Sequence, residues 1–239
     1  NKYYISAISG KPNGVGSIDK PWDTLDDLDG YAFSPGDSVF FEKGSKWIGT
    51  FEITASGSTH APIVFTSYGE GDRPAISNPD SNANDGNAIR ISASHILIDD
   101  FYIHDCGLSK PRTVAGVASF NRNDHHITIQ NSEFSGCRVG VRLYAHDVLI
   151  TNNYMHSPGG GINEWWGPMG IVVAGYNGDI SFNTIEGFLA PNNYGFDGGA
   201  IEIDDEGNHT NWKIHHNITL GNQGFLETYD DSECQDCTW

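Results

Sequence analysis

Five segments of this chain superimpose when each is aligned on a leading isoleucine: Ile98–Ile103, Ile129–Phe134, Ile150–Met155, Ile180–Ile185 and Ile214–Thr219. Each carries an apolar or β-branched residue five positions after that Ile, and Asn153, Asn183 and Asn217 share the slot three after it. Asparagine tolerates a left-handed bend and can hydrogen-bond to its own copy one coil away. A second run follows each segment, opened by Gly116, Gly140, Gly170, Gly199 and Gly224. The leading Ile residues lie 31, 21, 30 and 34 positions apart. A period of about 20–30 residues with insertions confined to one corner is the pattern of a parallel solenoid. A sandwich of short strands would not repeat matching Asn and Gly at matching corners. The expected fold is therefore all-β, a right-handed parallel β-helix with an N-terminal cap and loop insertions at one corner.

The 239 residues suit one elongated domain spanning 1–239, with a cap and first coils over 1–90 and regular coils over 91–239. Glycine, at 29 residues, fits a fold that turns a corner every few positions. The net charge of −18 repels phosphate backbones and anionic bilayers, so neither nucleic acid nor membrane is an expected partner. No apolar run approaches the roughly 18–20 residues of a membrane span. The chain opens directly on Asn1-Lys2-Tyr3-Tyr4-Ile5, a strand-like run, which reads as a mature secreted form. Cys237-Thr238-Trp239 resembles the entry to another strand, so the expectation is a monomer or part of a longer multi-domain chain.

The N-terminal part carries a second signal. Tyr3-Tyr4-Ile5-Ser6, the glycine-rich stretch Gly10–Gly16, Lys20-Pro21-Trp22 and Pro35-Gly36-Asp37 are followed by Gly44-Ser45-Lys46-Trp47 and Ala61-Pro62-Ile63. This series resembles the entry of secreted right-handed β-helix proteins of the pectate-lyase-like superfamily. The resemblance implies a capping element, then first coils. It leaves the reaction open, because the superfamily holds lyases, hydrolases, epimerases and non-catalytic binders.

Cys106 and Cys137 each lie three residues after the closing apolar position of adjacent repeats. Neighbouring strands sit about 4.8 Å apart, inside the Cα window of a disulfide, so a Cys106–Cys137 bridge is expected, with a ladder of two buried thiols as the alternative. Cys234 and Cys237 form a lone CxxC, which points to a local disulfide, or pairing beyond the chain end, rather than zinc.

Chemistry is expected on the outward positions of the glycine-led runs. Inward Ile201 and Ile203 leave Glu202 and Asp204 outward, and inward Leu226 and Thr228 leave Glu227 and Tyr229 outward. Glu202 and Glu227, side by side, would stand about 5 Å apart, as in retaining glycosidases; Asp204 and Glu227 form a diagonal of about 8 Å, as in inverting ones. The Asp204/Glu227 arrangement also resembles the Asp/Glu pair of β-helical xylosidases and related glycoside hydrolases, a pattern to which Glu202 does not belong. Glu202, Asp204 and Glu227 are the candidate catalytic residues. Substrate contacts are expected from Arg142 and Tyr229, from Trp165 and Trp166 in the 157–169 insertion, and from Tyr194, Phe196 and Asp197 in the 187–198 insertion, since flat aromatic rings suit sugar stacking. Asp205, Asp230 and Asp231 on the same edge are weak candidates for calcium. The Asp80–Gly86 segment matches the start of an EF-hand loop but lacks its twelfth-position Glu, so a plain polar loop is expected, with weak calcium binding as the alternative. His95, His104, His125, His126, His156, His215 and His216 show no metal-ligand spacing and are read as surface and corner residues.

The leading functional expectation is a secreted, extracellular glycoside hydrolase acting on a plant or algal polysaccharide, with no required cofactor and calcium as an optional ion. Two alternatives stay open: a non-catalytic carbohydrate-binding module using Trp165 and Trp166, and a calcium-dependent polysaccharide lyase or epimerase.

Overall fold

The computed structural model describes residues 1–79, 86–107, 114–158, 167–189, 198–204, 209–228, 234 and 236–238. Three parallel sheets of eight, seven and seven strands run side by side along one axis. Each coil contributes one strand to each sheet in turn. The coils span 38–53, 63–91, 96–119, 127–143, 148–173, 176–203 and 210–228, and Lys2–Ile5 adds an eighth strand at the head of the first sheet. The one helix among the described residues is the short 3-10 turn Leu25–Asp27, started by a capping box between Thr24 and Asp27. This is the parallel β-helix that the repeats dictate.

Register explains why. Phe65, Ile98, Ile129, Ile150, Ile180 and Ile214 are successive partners in the first sheet, and the five Ile are at most 1% exposed. Trp47, Ile76, Ile103, Phe134, Met155 and Ile185 form the matching interior column of the second sheet. Alternation sends every second side chain inward, so one in-register stack fills the coil from end to end. Residues 6–37 close the N-terminal end, where Trp22, Leu25, Leu28 and Phe33 are buried and Tyr3 stacks on Trp22 at 5.3 Å.

The corner between the first and second sheets is tied by the asparagines. Asn153 Nδ2 donates to Asn183 Oδ1 and Asn183 Nδ2 to Asn217 Oδ1, both at 3.0 Å. Each Nδ2 also donates to a carbonyl one coil back, that of Ile129, Ile150 and Ile180 in turn. The left-handed bend falls one residue earlier than expected, at Asn131, Asn152, Phe182 and His216, with φ of 53–58°. The asparagines serve as ladder rungs, and their neighbours make the turn.

Two further expectations are corrected. Cys106 and Cys137 are not bridged: both are buried free thiols, stacked on adjacent coils. Cys106 Sγ donates to the His104 carbonyl at 3.5 Å and Cys137 Sγ to the Ile103 carbonyl at 3.8 Å. Burial, reinforced by contact with Cys106, pushes the Cys137 thiol well up, which keeps it protonated and unreactive. The disulfide lies at Cys234–Cys237, the local pairing. The glycine series also slips by one in its last members, because Gly170 is level with Ala200 rather than Gly199. At Gly140 and Gly170 a Cβ would stand 2.6 Å from the backbone oxygen of the next coil and against Met155 or Ile185 of the second sheet, so close packing demands glycine there. Thr238 makes one isolated parallel bridge to Lys213 at the edge of the first sheet.

Candidate active site

The third sheet carries the expected stripe. Its outward column runs Glu52, Arg90, Ala118, Arg142, Val172, Glu202 and Glu227, each the direct partner of the next. Ile201 and Ile203 pack into the main core between them. Glu202 and Glu227 are therefore in-register neighbours, one strand spacing of about 4.8 Å apart along the sheet. Their surroundings differ: Glu202 is 4% exposed, whereas Glu227 is exposed. Part of this outer face is itself apolar, with Ala115, Ala118, Val139, Met169 and Val172 forming a second buried cluster flanked by Phe120 and Tyr144.

A second outward column follows one residue after the strands: Phe120, Tyr144, Ala174 and Asp204. Backbone bonds keep it in step, with the Tyr144 amide donating to Ser119, Ala174 to Leu143 and Asp204 to Val173. Tyr144 and Asp204 are two coils apart, about 10 Å along the sheet. Ala174 between them is small enough for the phenol to pass over. The Tyr144 hydroxyl donates to Asp204 Oδ2 at 2.6 Å, and Arg142 donates to the same oxygen at 3.1 Å. Arg142 also donates to the Tyr144 oxygen, and its guanidinium lies 5.0 Å from the Tyr144 ring centroid. Burial, with a contribution from Asp204 and against the pull of Arg142, lifts the Tyr144 phenol to about 12, so it stays a neutral donor. Both bonds end on Asp204 Oδ2.

Of the expected substrate contacts, Arg142 is committed to Asp204 and Tyr144, with its side chain only 11% exposed. It positions Asp204 rather than offering a free cation. Trp165, Trp166, Tyr194, Phe196, Asp197 and Tyr229 lie outside the described residues, as do the calcium candidates Asp205, Asp230 and Asp231 and the Asp80–Asp85 segment. Both insertions leave the second sheet and return to the third-sheet strands Met169–Val173 and Gly199–Ile203, which places their ends beside this face.

Sequence reasoning missed Tyr144. The available signal was parity: Tyr144 follows Leu143 as Asp204 follows Ile203, on strands that share one register. It also missed a cleft of about 290 Å³ on the second sheet, lined by Lys46, Arg73, Tyr102 and Glu133 among others. Arg73 there lies 2.9 Å from Asp100 and 3.3 Å from Glu133, and Lys43 3.1 Å from Asp100. Burial alone would raise the Asp100 carboxyl, but the Ser67 hydroxyl and these two cations outweigh it and hold it low.

No protein-family model matches the chain, and no curated protein matches it. Solved structures do. A GH136 lacto-N-biosidase from Eubacterium ramulus superimposes with a TM-score of 0.73 at 16% identity over 99% of this chain and 50% of its own. The pectate lyase Pel9A gives 0.61 at 13% identity, covering 92% of this chain and 63% of its own. A mannuronic acid-specific polysaccharide family 6 lyase from human gut microbiota gives 0.60 at 13%, covering 95% and 51%. The chain thus spans about half to three fifths of these proteins. The likeness establishes the fold, a parallel β-helix.

Proposed function

We propose that this chain supplies the β-helix and the carboxylate pair of an extracellular glycan-cleaving enzyme, a glycoside hydrolase of the inverting type acting on a plant or algal polysaccharide. The observation that carries this reading is the Asp204–Glu227 diagonal on adjacent strands, with Asp204 oriented by Tyr144 and Arg142. One strand spacing and two residues set these two backbone positions about 8 Å apart, which compares with the inverting range of about 6.5–9.5 Å. In the reaction Glu227 gives its proton to the glycosidic oxygen as the bond to the anomeric carbon breaks. Asp204 Oδ1 takes a proton from the attacking water, whose oxygen forms the new bond. The products are a reducing sugar and a free hydroxyl. Glu202, buried beside Glu227 and two residues before Asp204, shapes the floor. No metal is required for these steps. The neighbours named above act on glycans by their own descriptions, which supports the substrate class. The Cys234–Cys237 pair and the surface acidity support an oxidising, extracellular setting.

The test is a polysaccharide panel, run on a full-length protein, read for reducing ends, unsaturated ends and plain retention, with NMR of the first-formed anomer. New reducing ends with inverted configuration support the assignment. Retained configuration would move the pair to Glu202 and Glu227. Unsaturated ends would replace hydrolysis with elimination and direct attention to the Lys46/Arg73 cleft. Retention without product would make the protein a binding module.

A further inference from the structure

The corner where the third sheet hands the chain to the first sheet is lined with imidazoles. His95 and His126 occupy its left-handed positions on adjacent coils, with φ of 58° and 56°, where later coils use Asp147, Asn177 and Asn211. Backbone bonds lock the two coils together here: the His95 amide donates to the His125 carbonyl at 2.9 Å, and Ile96 to His126 at 3.1 Å. The ring centroids of His95 and His126 are 4.6 Å apart, and His125 lies 4.8 and 4.9 Å from them. One ring nitrogen from each of the three falls within 4.8 Å of the others, and the Nδ1 atoms of His125 and His126 are 2.8 Å apart.

A second corner supplies an internal contrast. His215 and His216 repeat the 2.8 Å Nδ1 pair, but the third ring there is Phe182, stacked on His216 at 5.0 Å. Phe182 also takes a left-handed φ of 58°. A paired imidazole is therefore a corner-packing habit of this coil. The third imidazole is what distinguishes the first corner.

We propose that His95, His125 and His126 bind one divalent transition-metal ion, with zinc as the reference case, and so clamp the third and fourth coils together. Three imidazoles with an open fourth position form a coordination set that zinc accepts, while calcium and magnesium want oxygen ligands. The ligands ride on a hydrogen-bonded ladder, so little ordering is left for binding to impose. The other groups facing the site are Asp124, His146 and Asp147. His146 stacks on His125 and pairs with Asp147, whose Oδ2 is 3.9 Å from His126 Nδ1. A zinc ion adds positive charge beside that carboxylate, which favours binding.

The experiment uses protein freed of any affinity tag and stripped with a chelator, then titrated with zinc chloride against a chromophoric competitor, with metal content measured after dialysis. The wild type should hold one equivalent, unaffected by millimolar calcium, with a higher Tm when loaded. His95→Phe copies the Phe182 corner and should fold. Even an outer partner of a ligand is worth about 10–100-fold in affinity, so losing this ligand should weaken binding by at least about 100-fold. His126→Asn, the residue that coil six places at this corner, should do the same, and His216→Asn should change nothing. No retained zinc in the wild type, unchanged affinity in His95→Phe, or loss of zinc in His216→Asn would each overturn the proposal.

Discussion

The inside and the outside of the third sheet are built from the same strands yet behave differently along the axis. Inside, Val117, Val141, Ile171 and Ile201 repeat one kind of side chain coil after coil. Outside, the chemistry changes with position. Near the N-terminal end Glu52 faces Arg90, an ion pair at 3.9 Å; near the C-terminal end Glu202 faces Glu227. Two carboxyl side chains thus stand in register where the other end of the column carries an ion pair. The contrast teaches where to look in a solenoid: the interior column encodes the fold, and the departure from it on the outer face marks the candidate site.

The comparison can be broken from the inside first. Ile180→Ala removes a fully buried rung of the central column and should cost about 2–5 kcal/mol by denaturant titration. A cost under 1 kcal/mol would mean that the column is not what holds the coils together. Asn183→Ala deletes the middle rung of the polar ladder and strands the buried Asn153 donors, for a loss of about 1–3 kcal/mol in the same titration. On the outer face the expected stability effects shrink. Tyr144→Phe removes the hydroxyl that donates to Asp204 and should cost about 1 kcal/mol. Its larger signature should be kinetic, with kcat falling about tenfold and KM unchanged, as befits a positioning residue. Glu52→Ala, at the half-exposed ion pair with Arg90, should change stability by no more than about 0.5–1 kcal/mol.

The interior was legible because burial imposes a strict rule on every coil, and the Ile98-to-Ile214 column and the Asn153/Asn183/Asn217 ladder could be read directly. The turns were less so. The coils differ in length, so alignment on Gly199 slipped by one, and the left-handed residue at Phe182 has no turn-forming side chain to announce it. Spacing correctly put Cys106 level with Cys137, but it cannot tell a bridge from two thiols that each donate to a carbonyl. At the site, alternation placed Glu202 and Glu227 in register. It could not show that Glu202 is covered, or that Arg142 and Tyr144 reach across two coils to Asp204, because such contacts depend on the size of the residue between, here Ala174. The His95/His125/His126 corner escaped for a related reason: its members meet only when turns of adjacent coils are stacked.

The most direct test of the account is Glu227→Gln, assayed on a polysaccharide that the wild type cleaves. The change keeps the shape and removes the proton donor. Turnover should fall about a hundredfold or more, while retention on the polysaccharide and the Tm stay at wild-type values. Turnover within a few-fold of wild type would contradict the assignment of this face as the reacting centre.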